Sequence, residues 1–513
     1  MRASRVAHVP ERLALPAALL VVLLATVSSF AATGDVPVME RTAPADPPTG
    51  PPGATVDRAP TCRGAAPRSW VFFADKGVAP SELPRALAGV AVELTGRAME
   101  RRARVGIELN ENDLPVAERY VDAVRGAGAE VVAKSRWLNA VSVRADDDAL
   151  ARIRALSFVR EVRPVARAVR ELPVITPAVP SSEAPAPGAR ALDYGSSLEQ
   201  LEQIQVPSLH SDGFDGSGIL IAMLDTGFDT DHEAFRHLDI VGERDFINGD
   251  TETANEPGDP SGQDSHGTAT LSCVGAKKDG IIYGGSYNAS FLLAKTEMVD
   301  EEIQVEEDYW VEAVEWADSL GADLVSSSLG YFWWYEYADM DGETAVTTVA
   351  ADMAAARGLL CVNSMGNEGQ SSWRYMIAPA DGDSVLSIGA VDCDGLRASF
   401  SSVGPTSDGR IKPDVMALGV GAFVATTADT ASYGNSSGTS FSCPLTSGAV
   451  GLLVQGHPDW TPAEIIAALR ATATMSGSPD TLMGWGIAQA SDAMYSEPLD
   501  VPDVQTSERD IVL

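Results

Sequence analysis

This chain has few cysteines and a shortage of positive charge. Its five cysteines are odd in number and widely spaced, so they indicate neither a disulfide framework nor a zinc site, and we predict no disulfide. Cys273, Cys361 and Cys443 lie in apolar segments and are predicted to be buried small side chains. Lysine and arginine total 37 against 72 aspartates and glutamates, a formal net charge of −35, which argues against nucleic-acid binding.

Long hydrophobic runs are also missing, except near the N-terminus. Arg2, Arg5 and Arg12 precede an apolar stretch over residues 13–27, and small residues follow up to Ala32. This order predicts a secretory signal peptide over residues 1–31. The alternative is a membrane anchor, but the stretch is short for a spanning helix and contains a proline. We therefore expect a secreted, extracellular protein without a stable membrane anchor.

Composition divides the rest of the chain. Residues 32–67 are rich in proline, alanine and glycine and are predicted to form a disordered linker, and the proline-rich residues 172–193 form a second, protease-accessible linker. Between them, residues 68–171 follow the order strand, helix, strand, strand, helix, strand, which predicts a small α+β domain. Residues 194–495 alternate strands and helices, so we predict an α/β domain whose parallel sheet carries helices on both faces. Residues 496–513 are a polar tail.

The two predicted domains differ in charge. Residues 68–170 hold 18 basic and 14 acidic residues, a balance of +4, whereas residues 189–495 hold 12 and 46, a balance of −34. In the larger domain Asp245, Asp250, Asp259 and the segment 339–342 are candidate calcium ligands, although a solvated acidic surface explains them better, because the twelve-residue calcium-loop pattern is not met. Net charges of opposite sign favour association of the two domains at low salt.

Three segments of the larger domain carry an acid, a base and a nucleophile. Asp225 ends an apolar strand in Leu224-Asp225-Thr226-Gly227, and His266 stands in Asp264-Ser265-His266-Gly267-Thr268 at the start of a helix. Ser440 precedes an apolar helix in the segment 438–444, whose Pro444 is predicted to lie in the first helical turn. Each feature alone is common, because Asp-Thr-Gly also forms turns and a histidine at a helix start is often a surface residue. Together they predict nucleophilic catalysis, with the carboxylate orienting a histidine that accepts the serine proton.

The order Asp, His, Ser resembles that of the subtilisin family, the subtilases. A fourth segment, Ser364-Met365-Gly366-Asn367-Glu368-Gly369, is similar to the one that contributes to the family's oxyanion hole. The resemblance covers residues 194–495 and implies that Asn367 and the backbone N–H of Ser440 stabilise the oxyanion. It also implies that Ser328, Leu329 and Gly330 bind substrate along the primary specificity pocket. Phe441-Ser442 and Met365 depart from the commoner family residues.

The resemblance implies a secreted serine endopeptidase that acts on proteins and peptides through an acyl-enzyme intermediate. Residues 68–171 would then be a propeptide, acting as folding chaperone and intramolecular inhibitor, with maturation in the linker 172–193. The chemistry would need no cofactor, structural calcium would be an accessory, and the enzyme would be a monomer.

Two other functions would require different residues. A catalytically inactive subtilisin fold that only binds its partners would keep the fold and lose part of the triad, yet all three residues are present. A serine esterase would need a Gly-x-Ser-x-Gly elbow, and Ser442 stands where the second glycine belongs. The aromatic residues 331–337 could simply pack over the core, but we favour a wall of the substrate cleft, because so many aromatic side chains are costly to expose without a function.

Overall fold

The computed structural model describes residues 68–164, 167–168, 175–177, 192–299, 302–303 and 305–497. The predicted signal peptide, the first linker and most of the second linker and of the tail lie outside the described residues.

A sheet of seven parallel strands forms the centre of the larger domain. Its order is β16-β15-β14-β13-β7-β11-β8, and every residue of β7 and of β13 to β16 is buried, as expected where helices cover both faces. The strands are β7 (Leu220–Asp225), β8 (Asp239–Asp245), β11 (Ser290–Lys295), β13 (Leu324–Ser327), β14 (Leu360–Ser364), β15 (Leu386–Val391) and β16 (Val415–Leu418).

Helices cover the two faces of this sheet, and each face has its own buried cluster. Helices α7, α10 and α11 contribute to one apolar cluster, and α8 and α9 to the other. The predicted fold class is confirmed. The helices are α5 (Leu198–Glu202), α6 (Val206–Ser211), α7 (Ser265–Gly275), α8 (Val305–Leu320), α9 (Val346–Ala355), α10 (Thr439–Gly456), α11 (Pro462–Thr472) and α12 (Ala490–Met494), with short strands β9 (Lys277–Lys278), β10 (Ile282–Tyr283), β12 (Glu302–Ile303), β17 (Ala422–Ala425) and β18 (Tyr433–Ser436).

The smaller domain is an antiparallel sheet of order β2-β3-β1-β4 with four helices. Two of those helices, α1 and α2, were not predicted. Thr95 caps α2 by accepting from the Ala98 amide, but the buried face of α2 includes Arg101 and Arg102, so it lacks the apolar stripe that marks a helix in a sequence. The elements are β1 (Arg68–Phe73), α1 (Leu83–Glu93), α2 (Gly96–Arg104), α3 (Glu118–Gly126), β2 (Glu130–Ser135), β3 (Ala140–Arg144), α4 (Asp147–Arg154) and β4 (Val159–Pro164).

The two domains share a core. Trp70 and Trp137 of the smaller domain belong to the same buried cluster as Trp310 and Val314 of helix α8. Further along the chain, β5 (Arg167–Ala168) pairs with β12 and β6 (Ile175–Pro177) pairs with β18, both antiparallel. The smaller domain is therefore packed on the larger one and continues onto it through backbone pairing.

Three cysteines are buried in the described part of the chain, as predicted. Cys273, Cys361 and Cys443 are buried free thiols, and burial raises the pKa of Cys443 to about 12. Cys393 is free and exposed, and Cys62 lies outside the described residues. Among the described residues, helices are all too short or too polar to cross a membrane.

Candidate active site

The order in which strands are added to the parallel sheet reverses next to β7: the chain runs from β7 to β8 and β11 on one side and then crosses to β13 on the other. The strand β7 lies between β13 and β11, so the connections after it run to opposite sides, and open α/β sheets bind ligands at such a switch point. Asp225 is the last residue of β7, and Ser328 follows the last residue of β13. Both therefore lie at the carboxyl edge of the sheet.

Asp225 and His266 form a buried pair at this edge. The His266 Nδ1 lies 2.6 Å from the Asp225 Oδ1, and the carboxylate also accepts from the Thr226 amide at 2.8 Å and the Thr270 hydroxyl at 2.9 Å. Burial alone would raise the pKa of Asp225, but the interaction with His266 and these hydrogen bonds outweigh it and lower that pKa. Because an ionised carboxylate only accepts, Nδ1 carries the proton and Nε2 is left as the basic nitrogen.

The second nitrogen of His266 has no partner. Its Nε2 is buried and makes no hydrogen bond to any described residue, although an unsatisfied buried polar atom costs about 1–3 kcal/mol. The ring lies 6.0 Å from that of Phe441, between centroids, so the histidine is beside the residue that follows Ser440. The free nitrogen is therefore available to a group at the start of helix α10.

At the start of α10, a side-chain hydrogen bond to the Ser440 carbonyl replaces a missing helical one. The helix begins at Thr439, so Pro444 lies inside it rather than in its first turn, which corrects the prediction. A proline cannot donate to the carbonyl four residues earlier, and that carbonyl belongs to Ser440. The Ser328 hydroxyl donates to it instead at 2.8 Å, which ties the end of β13 to the nucleophile segment.

The amide of Asn367 is fixed in one orientation. Its Oδ1 accepts from the backbone N–H of Thr439 at 2.9 Å and from the Thr439 hydroxyl at 3.0 Å. Because a backbone N–H can only donate, the atom facing it must be the oxygen, and Nδ2 points elsewhere as a donor. The Asn367 side chain is thus attached to the residue adjacent to Ser440.

The structure brings together the predicted residues Asp225, His266, Ser440 and Asn367 with the segment 328–330. Two supporting residues, Thr270 and Thr439, were overlooked. Thr270 lies four residues after His266 on helix α7, a spacing that places both on one helix face and that the sequence already contained.

The aromatic segment 331–337 is mostly packed. Tyr331 is buried, and Trp334 and Tyr335 donate to the Glu307 carboxylate at 3.0 and 2.8 Å. Trp333 is exposed over 42% of its surface. The packed-loop interpretation therefore describes these residues better than a cleft wall.

An acidic cluster lies after β8 and contains a lysine. Carboxylate oxygens of Asp245, Asp250 and Glu256 lie within 4.8 Å of one another. The fully buried Lys295 Nζ lies 2.8 Å from Asp245 and 2.7 Å from Asp259. Part of this negative charge is therefore already neutralised by an ammonium group.

Helix α8 carries carboxylates that meet arginines of the smaller domain. Asp318 pairs with Arg101, with Arg102 at 2.9 Å and with Arg136 at 2.7 Å, and the Asp318 and Arg102 side chains are at most 1% exposed. Glu315 accepts from the Ser135 hydroxyl at 2.6 Å and from two successive backbone amides at 3.1 Å. This interface is both charged and desolvated.

A third carboxyl of helix α8 faces the smaller domain, with one arginine and one acidic residue close to it. Asp308 is fully buried beside Arg68, Trp70 and Ser142, with Glu312 as an acidic neighbour on the same helix. Burial raises the pKa of Asp308 to about 7. The side chain can thus change charge near neutral pH.

Comparison with known proteins agrees with this geometry. Residues 216–486 match the model of the subtilase family, and residues 68–177 match that of the peptidase S8 propeptide domain of Bacteroidota. The chain therefore belongs to the subtilase family and carries a propeptide domain of that family.

Individual relatives cover most of the chain. Subtilisin from Bacillus pumilus is 33% identical over 291 residues, which cover 56% of this chain and 94% of that protein. Subtilisin J from Geobacillus stearothermophilus is 28% identical over 399 residues, 77% of this chain and 91% of that protein. Among solved structures, the chain is similar to fervidolysin from Fervidobacterium pennivorans, described as a keratinolytic enzyme related to subtilisin. The TM-score is 0.61 and the sequence identity is 22%, and the match covers 85% of this chain and 62% of the fervidolysin chain.

Proposed function

We propose that the protein is a serine endopeptidase made as a zymogen, with Asp225, His266 and Ser440 as its triad. The observation that carries the proposal is the buried Asp225–His266 pair, whose second ring nitrogen is free beside the segment of Ser440. The rival function, an inactive subtilisin fold that only binds, offers no reason to bury an unpartnered imidazole nitrogen.

The residues divide the reaction as follows. His266 Nε2 takes the proton of the Ser440 hydroxyl as its oxygen attacks the scissile carbonyl, and Asp225 stabilises the imidazolium. The Asn367 Nδ2 and the backbone N–H of Ser440 donate to the oxyanion. His266 then gives its proton to the leaving amine, and water attacks the acyl-enzyme by the same base catalysis.

A fluorophosphonate probe tests the proposal directly. Wild-type mature protein should be labelled at Ser440, as located by peptide mass, and Ser440→Ala protein should stay unlabelled. An unlabelled wild type that still binds peptides would favour the inactive fold.

We also propose that residues 68–171 inhibit the catalytic domain until cleavage in the stretch 170–195. The shared core and the arginine–Asp318 network support tight docking. Export through a signal peptide over residues 1–31 completes the proposal. The mass of the protein recovered from culture medium, compared between wild type and Ser440→Ala, gives both cleavage positions.

Asn367→Ala should lower turnover about 10²–10³-fold and leave substrate binding almost intact, because the donor acts on charge that develops only in the transition state. Steady-state kinetics should show the loss in kcat with KM nearly unchanged. Asn363→Ala, which alters an asparagine bound to the backbone of Leu329 and Ser364, is the control for general disturbance of this region. A loss confined to KM would contradict the oxyanion role.

Docking of the propeptide should weaken as pH rises. The pKa of Asp308 is raised in the complex, so the complex holds a proton that the separated domains release, and its stability is lost as pH rises through about 7. The inhibition constant of the separate module should be at least ~10-fold weaker at about pH 8.5 than at about pH 5.5. Asp308→Asn should flatten this dependence; an unchanged slope in that variant would assign it to other groups.

Structural calcium is the accessory that subtilases commonly bind, and we propose the cluster of Asp245, Asp250 and Glu256 as its ligands here. Asp250 fits that role, whereas Asp245 at 2.8 Å and Glu256 at 3.8 Å are both shared with the Lys295 ammonium group. Millimolar Ca²⁺ should raise the melting temperature and a chelator should lower it. Asp250→Asn should reduce the gain and Lys295→Met should enlarge it. Equal melting temperatures in calcium and chelator, at matched ionic strength, would leave the carboxylates as surface charge.

A further inference from the structure

The segment 376–378 is hydrogen-bonded between the two chain segments that flank Ser440. The Ile377 amide donates to the Met365 carbonyl at 3.3 Å. On the other side, Tyr331 and Ala378 exchange two backbone hydrogen bonds of 2.8 and 3.0 Å. The side chain of Ile377 is therefore placed between the continuation of β13 and the continuation of β14.

Ile377 fills the gap between two glycines of those segments. A Cβ atom built on Gly330 would lie 2.5 Å from the Ile377 Cγ1, and one built on Gly366 would lie 2.9 Å from its Cδ1. No side chain could be added at either position without a clash, so the isoleucine packs directly on both backbones. Ile377 is 7% exposed, and its neighbours in the buried cluster are apolar, including Phe332, Met365 and Trp373.

This gap lies next to the reacting atoms. Gly330 is two residues from Ser328, which holds the Ser440 carbonyl, and Gly366 precedes Asn367, which is bound to Thr439. A substrate whose scissile carbonyl lies between Ser440 and Asn367 must direct the side chain on its acyl side into the space bounded by these segments. In this chain an isoleucine already occupies that space.

We propose that Ile377 is a specificity-determining residue that limits the side chain on the acyl side of the scissile bond to small, uncharged residues such as alanine. The proposal rests on the proposed function, since it needs Ser440 as the nucleophile. An apolar pocket discriminates between substrate side chains by their size, and each methylene group that does not fit lowers kcat/KM about 10–200-fold. The difference between alanine and phenylalanine is several such steps.

The test uses two tetrapeptide p-nitroanilides that differ only in the residue before the scissile bond, alanine or phenylalanine. Wild-type mature enzyme should favour alanine in kcat/KM by more than ~10²-fold. Ile377→Gly should raise kcat/KM for phenylalanine at least ~10²-fold and change that for alanine much less. Ile377→Ala, which keeps more of the packing, should shift the ratio in the same direction by a smaller factor.

Ile487→Ala is the matched control, since it removes a partly buried isoleucine that lies near Gly395, where an added Cβ would be 3.1 Å from its Cδ1, rather than near Gly330 and Gly366. It should leave the ratio at the wild-type value. A wild type that favours phenylalanine, or a ratio unchanged in Ile377→Gly while fluorophosphonate still labels Ser440, would overturn the proposal and leave the protease function standing. A wild type that neither cleaves the peptides nor takes the label would overturn both.

Discussion

Ser440→Ala is expected to lower peptidase turnover by about 10⁶-fold, and His266→Ala by a comparable factor, the figure measured for subtilisin itself. The two losses should be similar because nucleophile and base act as one unit. The Nε2 of His266 has no other described group to deprotonate, and without it the serine hydroxyl is a weak nucleophile. Initial rates on a peptide substrate with the mature proteins measure the effect.

Ser442→Ala provides the control for this experiment. Ser442 is buried two residues further along the same helix, and its hydroxyl donates to the Thr439 carbonyl at 3.1 Å. Removing the hydroxyl removes one side-chain hydrogen bond and should lower the free energy of unfolding by only about 1 kcal/mol. If Ser440→Ala kept more than about a tenth of the wild-type turnover, the nucleophile would have been assigned wrongly.

Asp318→Ala in the catalytic domain is expected to weaken inhibition by the propeptide about 10²–10³-fold. Removing one partner of a buried ion pair costs about 3–5 kcal/mol, because the remaining charge stays buried without compensation. Here the charge left without its carboxylate belongs to Arg101, whose side chain is 3% exposed, whereas Arg102 keeps its ion pair with Asp113 at 3.1 Å. The measurement is titration of separately expressed residues 68–170 against the mature enzyme.

Catalysis itself should be unaffected by this change. The neighbouring Asp323 accepts from the Leu220 amide at the start of β7, so the network lies at the opposite end of that strand from Asp225. Asp408→Ala, which breaks a half-exposed pair with Arg410, is the control and should leave inhibition unchanged. A wild-type module that failed to inhibit at micromolar concentration would be an accessory domain. Equal inhibition of Asp318→Ala would show that the shared apolar core alone determines affinity.

The elements that could be predicted from the sequence are those with a local signature. The central strands are continuous apolar runs. The runs 219–224, 292–295, 324–327, 359–363 and 385–391 predict strands within one or two residues of β7, β11, β13, β14 and β15. The segments of the candidate site could be predicted because the proposed nucleophile, base and acid each occur in a short motif. A strand that is buried on both faces needs a short run of apolar residues, and the turn at its end needs particular residue types. Both requirements involve only a few consecutive residues, so a sequence pattern can reveal them.

The features that could not be predicted from the sequence depend on contacts with residues far away in the chain. Helix α2 buries arginines because they pair with Asp318, which lies more than 200 residues further along the chain. Lys295 ends inside an acidic cluster that the sequence indicated only as candidate calcium ligands. Pro444 was misplaced because the compensating donor, Ser328, is 112 residues away. Ile377 likewise carries no signal until the two glycines it touches are brought together.

Cys393 gives a practical consequence of the scarcity of thiols. It lies in the turn between Asp392 and Gly395 and is the exposed cysteine among the four in the described part of the chain. Cys62 precedes the propeptide and is expected to leave with it. A maleimide dye should therefore attach to the mature enzyme at one position under native conditions. The unaltered chain thus offers a fluorescent reporter on the catalytic domain, with which departure of the propeptide can be followed in real time.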